Sequence, residues 1–321
     1  MSSAIVVTAP GGPEVLAPTT VDRPEPGPGQ LLVRVAAAGV NFIETYQRSG
    51  AYAVEYPFTP GAEAAGTVEA LGDGAEGFSP GDRVAFAEGT GTYAEYALVE
   101  AGRALPVPDG VDLETAAALP LQGMTAHYLV NSTFPAQQDH TALVHAGAGG
   151  VGLLLIQLLK AKGVRVITTV STAEKEELAR GAGADEVLRY EGFADAVQTL
   201  TDGAGVEVVY DGVGRSTFDD SLRSLRTRGM LVLYGAASGP VPPFELQRLN
   251  GAGSLFVTRP SLAHHLTSPE ERRWRSEELF GMVASGTLDV RIGARYALAE
   301  AARAHEDLQG RKTTGKVLLI P

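Results

Sequence analysis

The chain has 321 residues, more than one hydrophobic core usually serves, so two domains are expected. Its 38 acidic and 26 basic side chains leave a formal charge of -12, which opposes broad electrostatic attraction to nucleic acid or to an anionic membrane. Cysteine is absent, which removes disulfides, cysteine nucleophiles and thiolate metal sites together.

In chain order, residues 1 to about 122 read as mostly β, because short alternating runs are separated by frequent proline and glycine. Strands are expected over 5–8, 31–36, 66–70, 83–86 and 93–99, with 41–48 a loop or single helical turn carrying polar and aromatic side chains. Helices are expected over 113–119 and 124–130. From Thr141 strands and helices alternate, the pattern of a doubly wound parallel sheet. A strand opening at Thr141 and a helix running from the glycines to Lys162 lead the series, followed by strands at 164–170, 186–189, 206–210, 230–234 and 255–257 and helices at 173–180, 193–200 and 218–225. After Pro260 the order breaks into charged helices over 269–285 and 298–309 and a closing strand over 316–320. These have no partner in the βαβ series and are expected to return to the first domain. No basic segment leads into a signal-type apolar run and no apolar stretch is long enough to span a bilayer, so a cytoplasmic protein is expected.

The organising stretch is TALVHAGAGGVGLLLIQLLKAK, residues 141–162, with Gly147, Gly149 and Gly152 in G-x-G-x-x-G spacing between a strand and a helix. The first glycine allows the sharp turn, the second lets a pyrophosphate approach bare backbone, and the third lets helix and strand pack closely. The phosphates then meet a helix N-terminus, where unpaired N–H groups and the macrodipole favour negative charge. An NAD-specific site places a carboxylate about 20 residues further on. Here the second strand ends in Thr169, Val170, Ser171 and Thr172, followed by Lys175. A hydroxyl and an ammonium welcome a 2'-phosphate, which favours NADPH. The competing reading makes Ser171 a helix cap and Lys175 a solvated first-turn lysine.

The motifs AGAGGVG (146–152) and GMTAHYLV (123–130) resemble the medium-chain dehydrogenase/reductase superfamily. GVNFIETYQRSGAY (39–52), PGAEAAGTVEALG (60–72), VYDGVGRSTF (209–218), SGPVPPF (238–244), GSLFVTRPSL (253–262) and the closing TTGKVLLIP extend the likeness over the whole chain. More narrowly they resemble its zinc-free NADPH:quinone oxidoreductases of the zeta-crystallin type. The resemblance implies an α/β protein in which a Rossmann doubly wound parallel sheet stands beside a GroES-like, mostly-β catalytic domain formed by both chain ends. The implied divisions are 1–122, 123–261 for NADPH binding, and 262–321 returning to the catalytic domain, with the active site in the interdomain cleft. It further implies cofactor contacts at Asn41 and Thr125 near the nicotinamide end, at Tyr128, and at Gly149, Gly150 and Val151 on the pyrophosphate. Ser171, Lys175, Tyr190 and Arg311 match the 2'-phosphate site, and Val213, Tyr234, Gly235 and Pro260 the wall beside the nicotinamide.

Zinc enzymes of this superfamily ligate metal through Cys and His, but Asn41 and Ala62 stand at the corresponding positions and the six histidines are scattered, so no metal is expected. Without a Lewis acid to stabilise an alkoxide, reduction of an already electrophilic acceptor is the chemistry that suffers least. The expected function is NADPH-dependent quinone reduction, by hydride or by single electrons, with Tyr46 and Tyr52 as candidates for stacking on the quinone or donating a proton. Both tyrosines also fit as half-buried packing aromatics, and Glu63 reads as structural. Reduction of an activated C=C bond in an enal, enone or enoyl thioester uses the same fold, and a non-catalytic NADPH-binding or structural role is the alternative from another class. The partners expected are a small quinone or other electrophile and a second copy of the chain, with no nucleic acid and no membrane. The edge near 253–258 is able to pair across a two-fold axis.

Overall fold

The strand Gln30–Val40 is the axis of the first unit. Its residues are buried over most of its length, and it hydrogen-bonds to the antiparallel strands Ala64–Leu71, Tyr96–Glu100 and Lys316–Ile320. The computed structural model describes residues 1–321, and its contacts define two compact units, Met1–Met124 with Thr267–Pro321, and Thr125–Leu266. The seven-stranded sheet of the first unit runs Ile292–Ala297, Lys316–Ile320, Gln30–Val40, Ala64–Leu71, Arg83–Phe86 and Leu105–Pro106, with Tyr96–Glu100 also on Gln30–Val40. Val33, Val40, Val68, Phe86, Tyr93 and Leu319 are buried together as its core.

The chain end is held by more than strand pairing. Arg48 donates to His305 Nδ1 at 3.2 Å and to Gln309 Oε1 at 3.0 Å, and the other ring nitrogen of His305 lies 3.0 Å from the Tyr93 hydroxyl. Because a guanidinium only donates, Nδ1 accepts and Nε2–H donates to Tyr93. Burial first, and the nearby Arg48 charge second, push the His305 imidazole down to about 3, so it stays neutral.

Residues 41–48 are helical over Phe42–Arg48, longer than the single turn or loop expected, because the Glu44 carboxyl group reaches back to accept the Asn41 N–H on Oε2 at 2.7 Å. Three strands escaped the sequence reading, the shortest being Leu105–Pro106, whose two residues are too few to show alternation. Ala17–Val21 is exposed at nearly every position and contains Pro18, so it shows no alternation, yet it pairs with Ser2–Val6 as a ribbon. Ile292–Ala297 is an edge strand of alternating half-buried and exposed residues, parallel to Lys316–Ile320.

In the second unit six parallel strands lie in the order Glu186–Leu188, Arg165–Thr169, Thr141–His145, Val206–Asp211, Leu225–Leu233 and Phe256–Thr258. Numbered from Thr141–His145 this is the 3-2-1-4-5-6 order of a doubly wound dinucleotide-binding sheet. The helix Gly150–Ala161 follows the first strand and buries Leu153, Leu154, Leu155, Ile156, Leu158 and Leu159, which is why that run is apolar almost all round.

Candidate functional site

In open α/β sheets ligands sit beyond the carboxyl ends of the strands, where the order reverses. Thr141–His145 is that point here, with Arg165–Thr169 on one side and Val206–Asp211 on the other. The residues that follow it form the turn Ala146 to Gly149. Gly149 is the N-cap of Gly150–Ala161, and its amide donates to Ala146 O at 2.9 Å. A Cβ built on Gly149 would meet only the Ala146 carbonyl oxygen, at 3.1 Å, so nothing in the protein fills the space above it. One on Gly152 would lie 2.3 Å from that same oxygen, which forces helix and turn into contact. The amides of Gly150 and Val151 belong to the first helical turn and have no carbonyl within the helix to bond. This backbone fits a pyrophosphate.

The second strand ends at Thr169, and Ser171 lies exposed in the loop behind it. The cap of the helix Ala173–Gly181 is Thr172, whose hydroxyl accepts the Lys175 N–H at 3.3 Å. Ser171 is therefore not the cap, and the competing reading of that residue loses its basis. Lys175, partly buried, follows in the first turn, and Tyr190 lies just after Glu186–Leu188 with its ring 6.2 Å from that of His145. On the other side of the switch point, Asp211 Oδ1 accepts the amides of Val213 at 2.7 Å and Gly214 at 2.9 Å. The amide of Tyr234 donates to Asp211 O at 2.9 Å, so Val213, Tyr234 and Gly235 are gathered at the carboxyl ends of the fourth and fifth strands. Pro260 lies just beyond Phe256–Thr258. Thr125 and Tyr128 are buried on the helix Pro120–Tyr128, and Tyr128 stacks on His265 with ring centroids 4.2 Å apart.

Asn41, Tyr46, Tyr52 and Arg311 belong to the first unit. Tyr46 and Tyr52 form an aromatic pair with centroids 5.3 Å apart, and Tyr52 is 46% exposed, which is not the environment of a core aromatic. Arg311 is exposed just after the helix Ala301–Gln309. Asn41 is nearly buried, and its Nδ2 donates to Glu63 Oε2 at 2.8 Å. The Lys316 ammonium donates to Asn41 Oδ1 at 2.7 Å and also to Glu63 Oε2. Glu63 Oε1 accepts the Leu121 N–H at 2.7 Å, so both carboxylate oxygens are engaged by donors of the chain itself. Gly39 is small for the same reason, since a Cβ there would lie 2.2 Å from Glu63 Oε2. Lys316 was not singled out from sequence. The signal available was a lysine opening the apolar strand KVLLI.

Glu44, beside this cluster, is fully buried and its Oε1 has no hydrogen-bond partner. Burial outweighs the attraction of Lys316 and pushes its carboxyl up to about 8. A carboxyl whose folded pKa lies above its unfolded one stabilises the protein fully only below the unfolded value, and that contribution is lost as pH rises through about 8. Glu44→Gln carries no charge at any pH. It should melt higher than the parent at pH 8, by the equivalent of a few kcal/mol, and melt with it near pH 4. Equal differences at the two pH values would contradict the assignment of the buried proton.

A family model described as an alcohol dehydrogenase GroES-like domain matches residues 27–109, and one described as a zinc-binding dehydrogenase matches residues 150–271. Together with the two sheets they define the class: a dehydrogenase-type α/β protein with a GroES-like unit and a Rossmann unit. A quinone oxidoreductase of Pseudomonas aeruginosa is 46% identical over 325 residues, covering 100% of both chains. The solved structure of a mycobacterial protein complexed with NADPH is 54% identical with a TM-score of 0.98, covering 99% of this chain and 100% of the other. That of the Escherichia coli quinone oxidoreductase complexed with NADPH is 42% identical with a TM-score of 0.97, covering 99% and 100%. The chain belongs to the quinone oxidoreductases of the medium-chain dehydrogenase/reductase superfamily.

The zinc in the description of the second family model does not fit the residues present. No group of three or more His, Cys, Asp or Glu side chains is arranged to hold a metal ion, and the buried carboxylate nearest Asn41 is held by a lysine. NADPH does fit, at the open turn over Gly149 and the Ser171 loop.

Proposed function

We propose that the protein reduces quinones with NADPH. The observation that carries the cofactor half is the bare turn at Gly149, capping a helix and flanked by a loop serine, Ser171, and a first-turn helix lysine, Lys175, in place of a carboxylate. The quinone half is supported by full-length similarity to quinone oxidoreductases. When bound, NADPH supplies the reducing equivalents from its nicotinamide ring. The chain's own part is to hold and to exclude. Gly150 and Val151 would offer amides to the pyrophosphate, while Ser171, Lys175 and Tyr190 are assigned to the 2'-phosphate, as is Arg311. Val213, Tyr234, Gly235 and Pro260 wall the nicotinamide end, and Thr125, Tyr128 and Asn41 contribute polar and aromatic contact there. Tyr46 and Tyr52 are assigned to the acceptor, as a stacking face for a flat ring and as phenols able to deliver a proton to a developing quinol oxygen.

Steady-state oxidation of NADPH with 1,4-benzoquinone and with 2-hexenal tests this, the quinone being the expected acceptor. Turnover confined to the enal would move the protein to the reductases of activated C=C bonds. We further infer a homodimer. The strand Phe256–Thr258 ends the sheet with one edge unpaired, and Phe256 and Val257 are exposed on it. The same preparation should sediment at twice the 33.5 kDa chain mass, and a monomer at micromolar concentration would contradict this.

A further inference from the structure

The carboxyl ends of three adjacent strands are tied together by one buried imidazole. His145 closes the first strand and is inaccessible to solvent. Its Nδ1 lies 2.8 Å from Thr169 Oγ1, at the end of the second strand, and its Nε2 lies 2.9 Å from Ser221 Oγ. Ser221 in turn donates to Asp211 Oδ2 at 3.0 Å, and Thr217 Oγ1 donates to the same oxygen at 2.7 Å. Asp211 closes the fourth strand, and its other oxygen holds the Val213 and Gly214 amides. The carbonyl of Thr169 accepts the amide of Gly147, the first glycine of the turn, at 3.1 Å.

The hydrogen bonds allow a single arrangement of protons. Asp211 as a carboxylate only accepts, so the one proton of Ser221 is committed to it. Ser221 Oγ must then accept from His145 Nε2–H, which leaves Nδ1 bare to accept from Thr169 Oγ1–H. Burial, which outweighs the nearby Asp211 charge, lowers the pKa of His145 and keeps the ring neutral, in agreement with that arrangement. Phe193 meets the ring edge-on at 4.8 Å, so packing fixes its plane as well.

We propose that His145 is a positioning residue for the dinucleotide: its Nε2-protonated ring holds the pyrophosphate turn, the Ser171 loop and the 212–214 turn in one binding-ready arrangement before the cofactor arrives. It touches neither cofactor nor acceptor and acts through Thr169 and Ser221. This rests on the NADPH reading above. A cluster fixed in advance lowers the cost of ordering three loops on binding, so its loss is expressed in affinity rather than in the chemical step.

The test compares the full-length parent with His145→Phe, which keeps ring volume but makes neither hydrogen bond, and His145→Gln, which keeps a donor toward Ser221. NADPH and NADH affinities are measured by equilibrium fluorescence titration, and quinone turnover at saturating NADPH. His145→Phe should bind NADPH about 10- to 100-fold more weakly, the loss that follows when the groups orienting a metal's ligands are removed being taken as the guide, with turnover at saturation nearly unchanged. His145→Gln should recover most of the loss. In the parent, long-range proton–nitrogen correlation spectra should show His145 in the Nε2–H form whether or not His145→Phe folds. Unchanged affinity in His145→Phe, no recovery in His145→Gln, or an Nδ1–H ring in the parent would each overturn the proposal. A parent that binds neither dinucleotide would overturn the NADPH reading together with it.

Discussion

Lys316→Met is expected to destabilise the first unit by about 3–5 kcal/mol, the cost of removing one partner from a buried ion pair. The ammonium is 1% exposed and Glu63 0%, so no water is at hand to replace the lost bonds. What remains is a carboxylate with the Leu121 amide and the Asn41 side chain, and an Asn41 Oδ1 that has lost its 2.7 Å donor. Trp274, the single tryptophan, lies on the helix Pro269–Ala284 of this same unit, so its fluorescence reports unfolding there. Denaturant titration should show the midpoint falling in Lys316→Met. Glu63→Gln combined with Lys316→Met removes both charges and should regain most of the loss, since it is the unpaired charge that costs. A double variant as unstable as the single one would show that Lys316 matters through packing instead.

Gly149→Val is expected to abolish NADPH binding, by at least about 100-fold or roughly 3 kcal/mol, while leaving the fold intact. Its backbone has φ -78° and ψ 168°, an extended conformation that valine adopts without strain. Its Cβ would find only one protein atom nearby, at 3.1 Å, and the branched side chain would then stand where the pyrophosphate has to lie. Gly152→Val makes the control. There the Cβ meets the Ala146 backbone at 2.3 Å and the helix has to move away from the turn, so stability falls along with binding. Thermal melts set beside NADPH titrations separate the two. A Gly149→Val protein that still binds NADPH would place the pyrophosphate elsewhere.

These two sites differ in how far the sequence exposes them. The turn is local: strand, three glycines and helix lie within 22 residues, so spacing and periodicity are enough, and the alternation after Thr141 shows a sheet of about six strands, while their order is read only from the structure. The Ser171 and Lys175 loop is legible for the same reason, although only the structure shows that Thr172 does the capping. The Asn41, Glu63 and Lys316 cluster is not local. Lys316 is 275 residues from Asn41, and they meet because the register Val317 to Val40 brings the last strand against Gln30–Val40. No periodicity in either segment encodes that pairing. His145 is an intermediate case. A polar residue ending an apolar strand is visible in ALVH, but its partners Thr169 and Ser221 lie on other elements and read alone as ordinary strand and helix residues. The missed strands Ala17–Val21 and Ile292–Ala297 lacked a signal because edge strands bury too little to need an apolar face.

The most direct test of the central claim is the steady-state rate of NADPH oxidation by the purified protein with 1,4-benzoquinone, set against the same assay with NADH and with 2-hexenal. Quinone-dependent turnover with a kcat/KM clearly higher for NADPH than for NADH is the predicted result, since a serine and a lysine stand where a carboxylate would select NADH. Turnover with 2-hexenal alone, or none with either acceptor despite tight NADPH binding, would contradict the assignment as a quinone reductase.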